Sequence, residues 1–133
     1  MSRADTTRRS LVATPTAAVI DALLVLVFAA VGRGSHGENV LVGLAGTAWP
    51  FLLGLLVGWS VGLLVYRGRF EAMRVAPAGV VIWAGTLVLG MLARVLSGQG
   101  TAPSFIVVAG VVLALFLLGW RALAALLDRR RRA

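Results

Sequence analysis

This chain of 133 residues carries ionisable side chains inside apolar stretches, and these are its first candidates for a functional site. Asp21 lies in the first apolar stretch and Arg121 in the last. A charged group inside a membrane is costly, so such a residue is by default a candidate functional site. Three roles are open to Asp21: an ion pair with Arg121, a proton or cation site, or a solvated carboxylate beside a snorkelling Arg121.

Arg33 and Arg94 form a second candidate set, since each lies at one end of an apolar stretch. Two guanidinium groups on one side could hold an anion or a carboxylate, because their forked donors suit such ligands. The alternative is that both arginines snorkel to lipid headgroups and that Glu38 offsets one charge. The polar and aromatic residues around and below them are Ser35, His36, Glu38, Thr47, Trp49, Trp83, Thr86, Gln99 and Thr101.

Metal and nucleophile chemistry find little support in these residues. The chain has one histidine, His36, and no cysteine, whereas a metal site normally assembles three or four ligands. His36 and Glu38 make at most a weak pair, and the adjacency of Ser35 and His36 is not the geometry in which a base activates a hydroxyl. We therefore predict no metal, no cofactor and no enzymatic activity.

Four apolar stretches must position these residues, at about 16–32, 40–66, 77–96 and 103–127. Each is near or above the ~20 residues that span a ~30 Å hydrocarbon core. The composition, 59% hydrophobic and 14% charged, is too apolar for a soluble fold of this size. The sequence predicts an all-α integral membrane four-helix bundle at 16–127, with a basic head at 1–15 and a basic tail at 128–133.

The arginines predict how the chain is threaded. The head, the second connection and the last stretch with its tail contain all of them except Arg33 and Arg94. The positive-inside rule therefore puts the head, the second connection, the tail and both termini in the cytoplasm. Asp21 within the first stretch argues against a cleaved signal peptide, so we expect a retained span. Because the arginines flank apolar spans, we expect anionic lipid headgroups as partners and not nucleic acid.

Depth in the membrane relates Asp21 to Arg121. Asp21 lies about five residues, roughly 8 Å, from the inner end of the first span, and Arg121 lies at a similar depth in the fourth. The two residues are level, which favours the ion pair.

An offset of 61 residues relates the two halves of the chain. Arg33 matches Arg94, and the dipeptide Gly58-Trp59 matches Gly119-Trp120. Because both halves start on the same side, the repeat would be parallel, with its axis along the membrane normal. The sequence predicts two parallel-repeat helical hairpins.

Small residues and a proline mark the second span. Gly54, Gly58 and Gly62 form a ridge at a spacing of four, which is typical of close helix packing, either inside the monomer or along a homodimer seam. Pro50 predicts a kink, and Thr47 could bond part of the backbone that the proline frees. For all four tryptophans, packing or interface anchoring is the default interpretation.

An ordered set of residues runs through all four spans: Asp21, Phe28, Gly32-Arg33, Ser35-His36, Thr47 to Phe51, Trp83, Thr86, Gly90-Met91, Arg94, Ser104-Phe105 and Gly119 to Arg121. Together they resemble the domain of unknown function 3054 family, which consists of small prokaryotic membrane proteins. The resemblance covers about 21–121. It implies a four-span protein, and with it a prokaryotic cytoplasmic membrane, but brings no activity, substrate or cofactor.

Two other classes of similar size fit less well. Small multidrug exporters carry a glutamate in the first span, whereas this chain has Asp21 nearer the inner edge. Dual-topology fluoride channels need nearly balanced charge, which the arginine distribution opposes.

Two hypotheses for function remain. The first is a non-catalytic membrane subunit or scaffold that associates through its glycine ridge with a partner protein or a second copy. The second is a permease for a small solute, an anion or protons, based on Asp21 and the Arg33–Arg94 pair. Four helices rarely enclose a wide path, so the permease would have to act as an oligomer.

Overall fold

Helices account for nearly the whole of the computed structural model, which describes residues 2–35 and 39–133. The four long helices are α1 (Arg3–Ser35), α2 (Val40–Tyr66), α3 (Val80–Leu96) and α4 (Pro103–Arg132). Within the described residues there is no strand. Four helical segments are long and apolar enough to cross a membrane: Ala13–Gly34, Leu41–Arg69, Val75–Leu96 and Pro103–Arg132. The predicted all-α, four-span fold class is confirmed.

The helix ends follow local capping rules. The side-chain oxygen of Asn39 accepts hydrogen bonds from the amides of Leu41 and Val42 and so caps α2. Pro103 occupies the first turn of α4, where a missing N–H costs nothing. The helix α1 begins at Arg3 and continues through Pro15, so most of the basic head is helical. Hydropathy marks where apolar character begins and does not mark where helical hydrogen bonding begins.

The helices pack in a ring in chain order, and α4 closes the ring against α1. Both termini and the α2–α3 connection lie at one end, which we call the basic end. At the other end, the opposite end, α1 and α3 finish and α2 and α4 begin. A short 3-10 turn, Arg67–Arg69, and a wide turn, Val75–Gly79, bracket the α2–α3 connection. Residues from all four long helices therefore meet at each end of the bundle.

The closest helix contact is between α2 and α3, and glycine makes it possible. A Cβ atom at Gly54 would lie 2.7 Å from the carbonyl oxygen of Thr86, and one at Gly85 would lie 2.6 Å from the Cα of Gly58. A Cβ at Gly62 would overlap the ring of Phe70. The glycine ridge is thus occupied inside the monomer, as small residues allow. It is not open to a second copy or a partner, so association through this ridge does not fit the structure.

Between the two ends lies a set of buried aliphatic side chains that we call the apolar layer. It consists of Val25, Leu55, Leu113 and Leu117, all buried. The outer surface is equally apolar, since Leu41 is 86% exposed, Leu96 79% and Leu64 74%. Exposed apolar surface of this extent is suited to lipid and would be a liability in water.

Candidate functional site

At the basic end, Asp21 and Arg121 form a bidentate ion pair. Arg121 Nη1 donates to Asp21 Oδ1 at 2.8 Å, and Nη2 donates to Oδ2 at 2.7 Å. Both side chains are 0% exposed. The two residues that the sequence places at one depth are therefore in direct contact, in the paired geometry that makes arginine–carboxylate bonds strong.

Two tryptophans complete this group, which we call the Asp21 cluster: Asp21, Trp59, Trp120 and Arg121. Trp59 Nε1 donates to Asp21 Oδ2 at 3.0 Å and Trp120 Nε1 donates to Oδ1 at 2.8 Å. Each carboxylate oxygen thus accepts two hydrogen bonds. Trp59 and Trp120 are 61 residues apart, so matched positions of the proposed repeat donate to one acid.

The interpretation of Trp59 and Trp120 as packing or anchoring residues missed these bonds. A usable signal was present, because a buried indole N–H usually needs an acceptor. Asp21 is the one acid within the predicted spans.

Arg121 also ties the cluster to the α2–α3 connection. Its Nε donates to the carbonyl of Ala72 at 2.8 Å, and Nη1 also donates to the carbonyl of Leu117 at 2.8 Å. A Cβ at Gly79 would lie 3.0 Å from Arg121 Cδ, so the wide turn before α3 packs closely on the same side chain. The cluster therefore joins α1, α2, α4 and the α2–α3 connection.

The hydrogen-bonding capacity of the Asp21 cluster is used within the cluster itself. Among the described residues, no buried side-chain nitrogen or oxygen lacks a hydrogen-bond partner. The carboxylate of Asp21 is out of contact with solvent and is held by four donors. In this conformation both carboxylate oxygens are enclosed and each accepts two hydrogen bonds, a geometry that suits a structural role.

At the opposite end, Arg33 and Arg94 line one cavity of about 240 Å³, which we call the arginine cavity. The arginines are half-buried, while Phe28 and Phe51 at its floor are buried. The ring centroids of Phe28 and Phe51 are 5.0 Å apart in an edge-to-face arrangement. Phe105 and Thr47 also line the cavity, so it combines guanidinium groups with an aromatic floor.

A backbone carbonyl, the hydroxyl of Thr47 and a small residue position Arg33. Its Nε donates to the carbonyl of Asn39 at 3.0 Å, and its Nη1 donates to Thr47 Oγ1 at 3.0 Å. A Cβ atom at Gly43 would overlap the guanidinium group, so this position of Arg33 requires glycine there. We expected Thr47 to bond backbone freed by Pro50; in the structure its hydroxyl accepts from Arg33 instead.

Arg94 is held by the α3–α4 connection. Nε and Nη2 donate to the carbonyl of Gly100 at 3.1 and 2.7 Å, and Nη1 donates to Gln99 Oε1 at 2.9 Å. The guanidinium carbon lies 4.6 Å from the ring centroid of Phe105. These contacts fix the plane of the guanidinium group along the wall of the cavity.

Pro50 contributes to the position of Arg94 through Gln99. Because proline has no amide hydrogen, the carbonyl of Gly46 one turn earlier loses its helical partner. The side-chain amide of Gln99 donates to that carbonyl at 3.3 Å and accepts from Arg94 through its oxygen. The proline is itself buried. The proline in the sequence indicated that part of the backbone would be freed, but not which residue would bond it.

The hydrogen bonds at the two arginines repeat along the chain. Arg33 donates to the carbonyl of Asn39, and Arg94 donates to that of Gly100, six residues later in each case. The acceptors, like the donors, are 61 residues apart. A parallel duplication of one helical hairpin predicts this correspondence.

Two further candidates, Trp83 and Trp49, lie outside both sites. Trp83 Nε1 donates to the carbonyl of Gly110 at 2.9 Å and joins α3 to α4. Trp49 is 42% exposed on α2. His36 and Glu38 fall outside the described residues. Within residues 2–35 and 39–133, no group of three or more histidine, cysteine, aspartate or glutamate side chains could hold a metal ion.

The apolar layer separates the two polar sites. On α1, Ala29 at the arginine cavity and Asp21 are eight residues apart, or about 12 Å along the helix. Val25 lies between them and is buried, as are Leu113 and Leu117 on α4. On α1 and α4, these buried apolar side chains therefore lie between the two sites.

The fold and these two sites define a multi-pass membrane protein of the four-helix class. The chain matches the family described as protein of unknown function DUF3054 over residues 18–124, and it belongs to that family. The matched region includes Asp21, Arg33, Arg94 and Arg121 and omits the basic head and the basic tail. No curated protein and no solved structure matches the chain.

Proposed function

We propose that this protein binds a small organic anion in the arginine cavity and has no catalytic role. One observation carries the proposal. The two arginines that lie apart from the other eleven, one at the end of α1 and one at the end of α3, line the same cavity. Arginines placed only to reach headgroups would have no reason to converge there.

The chemistry of the cavity suits a carboxylate. Arginine has five N–H hydrogens, and the three recorded bonds of Arg94 leave one hydrogen on Nη1 and one on Nη2 without an acceptor among the described residues. These two hydrogens belong to the pair of nitrogens that binds carboxylates in a forked manner. Arg33 adds a second positive charge to the same wall.

The size and floor of the cavity narrow the ligand class. Its volume of about 240 Å³ is below the ~300–1,000 Å³ of pockets that hold drug-sized molecules. The rings of Phe28, Phe51 and Phe105 supply apolar contact next to the charges. We therefore propose a monocarboxylate with a short apolar body, such as benzoate, in preference to a strongly hydrated inorganic ion.

A permease role is an extension of this proposal and needs motion. The apolar layer lies below the cavity, so the bound anion has no continuous way to the basic end. Transport would require the helices to rearrange or to act within an oligomer. A second candidate function is that of a non-catalytic membrane subunit or scaffold. The same closed layer favours it, because a subunit or scaffold does not require a transport path.

We also propose that the protein lies in a prokaryotic cytoplasmic membrane with both termini in the cytoplasm, so that the arginine cavity faces outward. The arginine distribution supports this orientation. Because the chain has no cysteine, single-cysteine variants report it cleanly. A Cβ at Gly68 or Gly100 meets no atom within 4 Å. We expect a membrane-impermeant maleimide to label Gly100→Cys and not Gly68→Cys in intact cells, and the reverse pattern would contradict the orientation.

The binding proposal is tested by calorimetry with benzoate, acetate, chloride and phosphate on protein in nanodiscs. We expect benzoate to bind more tightly than the other three. Arg33→Gln and Arg94→Gln should each weaken it by about 10- to 100-fold, the range for a hydrogen bond to a charged group. Arg67→Gln is the matched control, because it removes an exposed arginine at the basic end.

A second variant leaves both arginines in place. A Cβ at Gly32, which lines the cavity, meets no atom within 4 Å, so Gly32→Leu fills space without a clash at its base. It should abolish benzoate binding while the protein remains folded. The proposal would be overturned if benzoate bound equally well to the unchanged protein and to Arg33→Gln, Arg94→Gln and Gly32→Leu. Native mass spectrometry of the same samples gives copy number, and a strict monomer would leave binding intact but contradict an oligomeric permease.

A further inference from the structure

A groove at the basic end lies between α4 and the turn that leads into α3. Its upper part, about 400 Å³, is almost wholly apolar and lies against Val111, Leu115 and Leu118 of α4. Its lower part, about 780 Å³, is basic. Val75 lines both parts, so the two adjoin at this residue. The groove is separate from the arginine cavity and shares no lining residue with it.

The basic part carries more positive charge than its own acids neutralise. Four arginines line it, Arg74, Arg129, Arg131 and Arg132, together with one acid, Asp128. Arg132 pairs with Asp128 at 3.2 Å, and Arg74 pairs with Glu71 at 3.0 Å. Among the described residues, no carboxylate forms an ion pair with Arg129 or Arg131. Two guanidinium groups therefore face this space without a carboxylate of their own.

The apolar part follows one face of α4. Val111, Leu115, Leu118 and Ala122 recur at spacings of three and four, which places them along one side of the helix. Between the larger side chains, Ala114 and Gly119 leave the surface shallow. From Val111 to Ala122 the face is about 16 Å long, close to half of the ~30 Å hydrocarbon core. One leaflet of a bilayer has this depth.

We propose that the groove is a specific site for an anionic phospholipid. Its phosphate lies among Arg74, Arg129 and Arg131, and one acyl chain lies along the apolar face of α4. A water-soluble phosphate compound would fit the charge but would leave the groove of one-leaflet length unused. A basic pocket at the interface, continuous with an apolar surface of that length, matches the two chemical parts of a lipid.

The first experiment places the protein in nanodiscs that contain equal amounts of phosphatidylglycerol and phosphatidylcholine with the same acyl chains. Native mass spectrometry then gives the ratio of the two lipids that stay bound. We expect phosphatidylglycerol to be enriched. Arg129→Gln with Arg131→Gln should reduce the enrichment about 25-fold, since each arginine near anionic lipid contributes roughly a fivefold gain.

The matched control is Arg67→Gln with Arg69→Gln, which removes the same charge at the same end outside the groove. Its enrichment should stay within about twofold of the unchanged protein. An equal loss in both double variants would mean that only the general surface charge matters, and would overturn the site. No loss in either would overturn it as well.

The second experiment separates a lipid from a free phosphate compound. Ala122→Trp fills the apolar part without changing the charge, and should remove bound phosphatidylglycerol although all arginines remain. Glycerol 3-phosphate, the headgroup portion without chains, should fail to displace the lipid at millimolar concentration. Unchanged lipid retention in Ala122→Trp, or displacement by glycerol 3-phosphate, would identify a soluble phosphate ligand and overturn the lipid proposal.

Discussion

The Asp21 cluster and the arginine cavity use the same side chain in opposite ways. Arg121 lies in a space that its partners fill, and its charge is neutralised by a carboxylate that two tryptophans also bind. Arg94 lies beside open volume, is held by neutral oxygens, and keeps two N–H hydrogens without a recorded acceptor. Arg121 bonds through four of its five N–H hydrogens and has its charge paired, which suits a structural role. Arg94 bonds through three, beside a cavity, which suits a ligand.

This difference follows from the cost of burial. A buried ion pair contributes little net stability, but the loss of one partner leaves an uncompensated charge. The Asp21 cluster is therefore a site where substitutions act on folding. At the arginine cavity the groups are half-buried, so substitutions there should act on binding with a smaller effect on the fold.

The largest expected effect is that of Asp21→Asn. It leaves Arg121 buried beside a neutral amide, and the free energy of unfolding should fall by about 3–5 kcal/mol. Fluorescence-detected size exclusion of the extracted protein measures the folded fraction. Exchange of the two residues, Asp21→Arg with Arg121→Asp, should restore only a small part, because the indole N–H groups of Trp59 and Trp120 would then face a cation. If Asp21→Asn accumulated normally but no longer bound the anion, Asp21 would have a functional role and not a structural one.

Trp59→Phe and Trp120→Phe should have the next largest effect. Each keeps the aromatic packing but removes one donor to the carboxylate, and should lower stability by about 1–3 kcal/mol. Thermal unfolding in detergent is the measurement. Trp83→Phe is a useful reference, because its indole bonds a neutral carbonyl, that of Gly110. A larger loss in the reference than in the two cluster variants would show that the carboxylate contacts contribute little.

Gly43→Ala should affect the arginine cavity more than the fold. The added methyl group would overlap the guanidinium of Arg33 and displace it, so benzoate affinity should fall about 10-fold. Gly46→Ala on the same helix meets no atom within 4 Å and is the control. Calorimetry measures the benzoate affinity of the two variants. Equal affinities would show that the position of Arg33 is unimportant for binding.

Gln99→Leu should have the smallest effect. It removes the bond to the carbonyl of Gly46 and the acceptor of one Arg94 hydrogen, with an expected loss of about 1 kcal/mol. Benzoate affinity should fall only a few fold, because Gly100 still holds Arg94. A combined Gln99→Leu, Pro50→Ala variant should regain stability, since an amide at position 50 again satisfies Gly46. Failure to regain it would argue against this link.

The sequence predicted those features that depend on position along one helix. Hydropathy gave the four spans, and depth in the membrane placed Asp21 level with Arg121. The spacing of Gly54 and Gly58 indicated a packing face without naming α3 as its neighbour. The two tryptophan donors to Asp21 come from positions 38 and 99 residues further along the chain. Such contacts depend on how each helix is rotated within the ring, which hydropathy and spacing do not specify.

The separation of Asp21 from Arg121 also has a consequence for biosynthesis. The two residues are 100 positions apart, in the first and the last helix. While the ribosome is still making α2 and α3, the acid in α1 has no guanidinium to pair with. A chain interrupted before α4 keeps a carboxylate in its first span without its partner guanidinium, a chemical difference between unfinished and finished protein. Completion of the last helix removes that difference in one step.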